Sequence, residues 1–594
     1  DALLREAEGR LAEAVRRSPD DADVLYSYAK IKEKMAEYAG SSQERLALLR
    51  EAEDLLAETV SRSPDDADVL YSYARIKEKM ADCVGLSQER DALLREAEGH
   101  LAEAVRRSPD DDYVFYSYAD LKAKMAEHAG SSQERDALLR EAEGHIVEAL
   151  RRSPDDAYVL CGYANLKAKM AAYAATPQER DTLLREAEDQ LAEALRRSPD
   201  NASVFYSYVD LKETMAEYAG SSQERNALLR EAEGHLVEVL QRFPGEIAAF
   251  YSYADLKETM AEYAGTPQER DALLREAEGH IAEALRRSPD EASVLCFYAD
   301  IKAKMAEHAA TPQERDALLR EAEGQLAEAV RHSPNDAIVL YRCAELEAKM
   351  AEHAATPQER GTLLREAEGH ITEALRRSPN TSLFFLAYIE LKEKKAEYAA
   401  TPQERDALLR EADGLLDDAV RRSPDNVGVL FGGIGLKARL ADLATTPQER
   451  DVLLREAEGL LGEAVRRFPD DARVLFVGAG LKARLAEHAA TPQARDALLR
   501  EAEGLLAEAM RRFPDDVAVL SIGALIKTKL AEYAATPQER DGLLREAEGH
   551  LAAAVRCAPT NVDVLIDRAI FRAVAVQYAD TPQERDALLC EAKE

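Results

Sequence analysis

Apolar residues in this chain recur in steps of three and four, which predicts helices. In the stretch "DDADVLYSYAKIKEKMAEYA", Val24, Leu25, Tyr28, Ile31, Met35 and Tyr38 fall on one stripe, with Asp20 or Asp21 placed to cap the start. A second pattern, "TPQERDTLLREAEDQLAEALRRSP", puts Leu183, Leu184, Ala187, Leu191, Ala194 and Leu195 on one face. Strand-type alternation is weak throughout. The two patterns return together along the whole chain. A proline recurs every 45 residues from Pro19 to Pro559, with no insertion or deletion.

A lone helical pair cannot bury such stripes, but stacked pairs build one continuous core, so an α-solenoid is expected. The polar words between the stripes read as helix grammar. Thr311 is an N-cap, Pro312 suits the first helical position and Glu314 completes a capping box. Asp181 with Arg185, and Glu193 with Arg197, are i,i+4 pairs with the acid toward the N-terminus. Arg196 and Arg197 complement the helix dipole before Pro199 stops the helix. Helix formation alone does not require every exposed residue to recur.

The spacing Ala52, Leu56, Thr59, Pro64 (small, large, small, proline) resembles the closing half of a tetratricopeptide repeat. Leu25, Tyr28 and Ala29 stand where that family has its Trp, Leu and Gly; Lys32 departs from it, standing where an aromatic is usual. The family unit is 34 residues, against 45 here, which fits lengthened helices around the "AEYAGSSQER" turn. The resemblance implies an all-α, right-handed superhelix of about thirteen hairpins, with the first helices lining the concave side. It also implies protein binding or scaffolding rather than catalysis. Residues 1–594 read as one continuous array, cut inside a repeat at both ends. The chain opens on Asp1, so a piece of a longer or processed chain is expected.

Composition narrows the partners. Of 594 residues 46% are hydrophobic and 32% charged, with a net charge of −35 that argues against nucleic acid. No apolar run is long enough to cross a membrane. The six cysteines share no metal-ligand spacing and read as small apolar substitutes. His100, His145, His235 and His280 share one column too widely spaced to bind one metal, and Met35, Met80 and Met125 read as core. No nucleophile–base pair or phosphate-binding loop stands out, so neither an enzyme nor a cofactor is expected. Recurrent mid-helix glycines such as Gly99, Gly144 and Gly234 read as inheritance from a founder repeat.

The array is not uniform. In repeats ten to twelve the "YSY" of early copies becomes Phe431-Gly432-Gly433, Phe476-Val477-Gly478 and Ser521-Ile522-Gly523. The His/Gln column becomes Leu415, Leu460 and Leu505, and the turn serine becomes Phe468 and Phe513. These residues read either as a wider internal core or as a self-association surface. Asn201 and Asn380 head N-x-Ser sequons in inter-repeat turns and would carry glycans if the protein is exported.

Two function classes follow. One is a structural protein whose copies associate into a rod or fibre, outside the cell; repeated exposed residues favour it. The alternative is a cytoplasmic adaptor binding a peptide or protein in its concave groove. That reading expects variation on the first helix, as at Asp23/Tyr113/Arg473 and Ser27/Arg342/Val477.

Overall fold

The structure, a computed structural model, describes residues 2–576 apart from positions 40–41, 85–86, 130, 175, 424–425, 445, 469–471, 490, 513–515, 535 and 558–561. It contains 26 α-helices, and no strand occurs among the described residues. After an opening helix, Ala2–Arg17, the helices pair into twelve hairpins, followed by Val562–Ala575. Hairpin 1 joins a first helix Ala22–Glu37 to a second helix Ser42–Arg62, and each later hairpin repeats this 45 residues on. Second helices from Ser42–Arg62 onward are all 21 residues long, whereas first helices run to 15–17.

The caps work as the sequence dictates. Asp21 Oδ1 accepts from the amides of Asp23 and Val24, and Thr311 Oγ1 accepts from the Glu314 amide at 3.2 Å. The glutamate of the capping box differs in one detail: in hairpin 6, Glu269 takes the amide of Gly265, one residue before the Thr266 cap. Asp20 does not cap; it pairs with Arg62 of the following second helix at 3.1 Å. Arg107 and Arg197 repeat that clasp on Asp65 and Asp155. At these repeats the last arginine before the "SPDD" turn therefore ties its own turn to the previous one.

The core is a continuous file of Leu, Ala and Val, with Leu25, Ala52, Leu56 and their copies sealed from solvent. Most of the methionine column packs at its margin. Cys83, Cys161, Cys296 and Cys343 are buried free thiols, Cys557 is half-buried, and Cys590 lies outside the described residues. First helices pack on the first helices of neighbouring repeats, whereas second helices make no comparable contacts with each other. Crowding on one side and splaying on the other curve the array, so first helices line its inner face.

The curve closes on itself. Ser42 Oγ lies 3.0 Å from Ser378 Oγ, and the Asn380 side-chain amide donates to the Cys83 carbonyl at 3.5 Å. Ser222 and Arg225 likewise reach the carbonyls of Arg556 and Cys557. These partners are 297 to 336 residues apart, so one superhelical turn takes roughly seven hairpins. The edge carrying the "SSQER" turns meets the edge carrying the "SPDD" turns one turn further on.

Candidate functional site: the inner face of the first helices

The first question about the inner face is what the repeated polar residues are already doing elsewhere. Lys122 is 5% exposed and reaches outward between two second helices, meeting Glu98 and Glu141 at 2.6 Å each. Burial pulls its pKa down, but the hydrogen bonds to Glu141 and Glu98 raise it more, so it stays charged. Lys32, Lys77, Lys167, Lys257 and Lys302 do the same, as do the equivalent lysines of hairpins 5 and 9–12. The two glutamates of "REAE" thus serve different lysines: Glu51 holds Lys32 of its own hairpin, and Glu53 holds Lys77 of the next.

The arginine of "QER" is also internal. Arg360 donates from Nε to the Ala351 carbonyl at 3.1 Å and stacks 4.3 Å over Tyr398 of the next first helix. Arg225 repeats this with Ala216 and Tyr263. The cost of burying a cation is offset by these carbonyl and ring contacts. Sequence reasoning credited only the glutamate of this word. The signal was present: a tyrosine recurs 38 residues after many of these arginines.

The histidine column lies against the first helices. His100, His145, His235 and His280 stack on Tyr73, Tyr118, Tyr208 and Tyr253 with centroids 4.0–4.5 Å apart. Burial, aided by the neighbouring ladder lysine, holds their pKa below the ordinary value. Among the described residues no group of three or more His, Cys, Asp or Glu is placed to hold a metal.

Two of the leucines that replace this column, Leu460 and Leu505, fill space left by glycines. A Cβ on Gly433 would lie 2.8 Å from Leu460 Cδ1, and one on Gly478 would lie 3.3 Å from Leu505 Cδ1. The Tyr/His ring pair of earlier hairpins has become a smaller Gly/Leu pair, in which the leucine occupies the space beside the glycine. Phe431, Leu460 and Phe468 pack half-buried around one core cluster, Phe476 and Leu505 around the next, and Leu415 around the one before. They belong to the core clusters of consecutive hairpins, and Phe513 lies outside the described residues. Asn201 caps the following first helix through its side-chain oxygen, leaving its amide nitrogen uncommitted to that bond. The half-buried Asn380 directs its nitrogen at Cys83 across the superhelical seam. Gly99, Gly144 and Gly234 look onto open space.

What remains on the inner face varies from hairpin to hairpin. On most first helices a lysine or arginine bridges to the acids of the preceding one: Lys79 reaches Glu33 and Glu37 at 2.8 and 3.0 Å, and Lys304 reaches Glu262 at 2.7 Å. In hairpins 5 and 6, Thr214 and Thr259 stand at that position. By repeat register the positions that would pair with residue 214 are Ala168 and Ala172, so no acid is left over there, but Thr259 leaves Glu213 and Glu217 without their lysine. Burial, then repulsion from Asp255, Asp210 and Glu217, pushes Glu213 up to about 7. Burial also raises Asp210 and Asp255, and Asp300 rises to about 6, with Arg342 opposing and Glu345 and Glu258 reinforcing the shift. One oxygen of Glu258 is buried and accepts no hydrogen bond.

A recess of about 400 Å³ opens between superhelical turns, lined by Asp91, Arg95, His128, Glu134, Arg466 and Arg467, among others. Its charges are of both signs and show no single ligand preference.

A stack of antiparallel helical hairpins, each closed by the small–large–small–proline spacing, defines an α-solenoid of the tetratricopeptide-like class, a helical repeat scaffold. The family model for "Regulator of microtubule dynamics protein 1-3" matches residues 3–129. No curated protein matches the chain. Among solved structures it is similar to yeast Tom70, at 15% identity over 85% of this chain and 96% of that one, with a TM-score of 0.39. It is also similar to the human IFIT1 dimer with m7Gppp-AAAA, at 15% identity over 94% and 95% of the two chains, with a TM-score of 0.34. A thermophilic TPR protein of Thermus thermophilus aligns at 17% identity over 39% of this chain and 98% of its own, with a TM-score of 0.26. No helix of the described residues is long and apolar enough to cross a membrane.

Proposed function

We propose that the protein is a non-enzymatic adaptor that binds a segment of another protein along the inner face of its first helices. The observation that carries this reading is the division of labour between the two helices. The repeated polar residues of the second helix are committed inside the array: the "REAE" glutamates to the lysine ladder, the "QER" arginine to a carbonyl and a ring, and the last arginine to a turn. The recurrence of these residues needs no neighbouring molecule, which weakens the argument for a fibre from repeated polar residues. The first-helix columns 23, 26, 27 and 30, in the numbering of hairpin 1, vary freely on the inner face, where a partner would be read. The match over residues 3–129 makes microtubule-linked proteins the first candidates to examine.

The test is photo-crosslinking in cells from single positions on the two sides of the array, with Ser252 on the inner face and Asp181 on the outer. One protein recovered reproducibly from the inner position, and not from the outer, is the expected result. Recovery of only further copies of this chain, with filaments visible by electron microscopy, would overturn the adaptor reading in favour of self-assembly.

A further inference from the structure

The inner face of hairpins 5–9 is divided into two parallel bands, and together they specify a partner. Near the N-terminal ends of the first helices run apolar side chains: Tyr206 half-buried, and Tyr251, Ile338 and Leu383 exposed by 37, 60 and 49%. Further along the same helices runs the carboxylate band: Asp210, Glu213, Glu217, Asp255 and Glu258, continuing through Asp300 to Glu390. On each helix the nearest acid follows the apolar residue by four to seven positions (Tyr206 to Asp210, Tyr251 to Asp255, Leu383 to Glu390), so at 1.5 Å rise per residue the bands run side by side about 6–10 Å apart, within the span that one α-helix with its side chains can cover.

We propose that this face takes a basic amphipathic helix of a partner protein, its apolar side on the tyrosine–isoleucine–leucine band and its lysines or arginines on the carboxylates; this rests on the adaptor reading above. The array contains its own template for the charged contact. In hairpin 7, Lys304 reaches across to the acids of hairpin 6, Glu258 and Glu262. Glu213 and Glu217 are the same pair one hairpin earlier, lacking only the lysine that Thr259 fails to supply. A cation delivered by the partner completes the bridge. It also removes the repulsion among Asp210, Glu213 and Asp255 that the isolated array carries. An apolar strip beside an acidic strip in which Glu213 and Glu217 lack their lysine matches basic helices that dock by i, i+3, i+4 and i+7 anchors.

The experiment uses the full chain and a labelled 20-residue peptide of leucine and lysine at helical amphipathic spacing, read by fluorescence anisotropy. Three comparisons accompany it: the peptide with glutamate for lysine, a scrambled basic peptide, and the Thr259→Lys variant. That variant restores the array's own bridge and leaves the core untouched. Binding of the basic amphipathic peptide alone, weakened at least tenfold by Thr259→Lys and unchanged by the outer-face variant Asp181→Lys, supports the proposal. Equal binding of the scrambled peptide overturns the apolar half of it. An equal effect of Asp181→Lys, or none of Thr259→Lys, overturns the site as unspecific attraction to an acidic protein. Absence of peptide binding while crosslinks still place a partner on the inner face overturns the basic-helix chemistry and leaves the adaptor reading standing. Absence of inner-face crosslinks overturns both.

Discussion

Arg360 shows how much structural work one repeated residue performs. Its guanidinium closes the C-terminal end of its own first helix and covers the tyrosine ring of the next hairpin. Lysine keeps the charge but loses the planar fork and the flat face. Arg360→Lys is therefore expected to cost about 1–2 kcal/mol locally, read as faster amide exchange around residues 351–354 and at the end of the next first helix. At Glu213 the sign of the pH effect is fixed by its raised pKa. Between the ordinary carboxylate range and about 7 the folded protein holds a proton that the unfolded chain releases. Stability contributed there is present at low pH and lost as pH rises through about 7. Glu213→Gln should flatten this dependence, giving slower exchange in hairpins 5 and 6 at pH near 8 and little change near pH 5. An unchanged pH profile would show that the cluster is neutralised by other means.

At the scale of the element, the lysine ladder has one inversion. In hairpin 8 (residues 337–377) Glu347 occupies the lysine position, between Glu323 and Glu366. Its only ionic contact among the described residues is His370 Nδ1, at 2.9 Å. Burial raises Glu347 against the opposing pull of His370, with Glu366 and Glu323 adding to the rise; the hydrogen bond to Glu347 raises His370. Both shifts act in the same direction: the folded hairpin binds protons more readily than the unfolded chain, so it gains stability on acidification and loses it as pH rises through the two raised values. Hairpin 8 should show exchange protection that increases from pH 8 to 5.5, while hairpin 4, which carries no histidine, stays nearly constant. Glu347→Lys should abolish that slope and strengthen the hairpin at pH 8 by about 1 kcal/mol. Lys122→Glu should install the same slope in hairpin 3, at a cost of about 1–3 kcal/mol. Because a solenoid unfolds in pieces, hydrogen exchange per hairpin is the right measure rather than one melting temperature.

At the scale of the molecule, direct side-chain contacts join one superhelical turn to the next. Serine hydroxyls 3.0 Å apart at 42 and 378 mark the seam. The double variant Ser42→Cys with Ser378→Cys should form a disulfide under mild oxidation, visible as a compact species on a non-reducing gel and as the linked peptide by mass spectrometry. Failure to cross-link, with both thiols reactive, would mean that the turns stand apart in solution and the groove is wider. The seam also bears on Asn380, whose amide nitrogen faces the neighbouring turn rather than open solvent.

Helix type, helix boundaries and the 45-residue hairpin were legible in the sequence because each depends on local chemistry: caps, proline stops and a stripe repeated at a fixed interval. The stripes at Leu25 and Leu184 mark core because apolar periodicity and burial are the same fact seen in one and three dimensions. The departure at Lys32 was legible only as an oddity. Its role depends on two glutamates, 24 residues before and 19 after, that only stacking brings to one ammonium. The leucines at 460 and 505 read equally well as core or surface until the glycines opposite them were placed. The sequence by itself determined the elements and their period, since these are set within a few residues of each atom involved. Only the tertiary structure decided which polar residues are spent inside the array, which face is crowded, where one turn meets the next, and which carboxylates are left without a cation, because each depends on side chains that meet across helices.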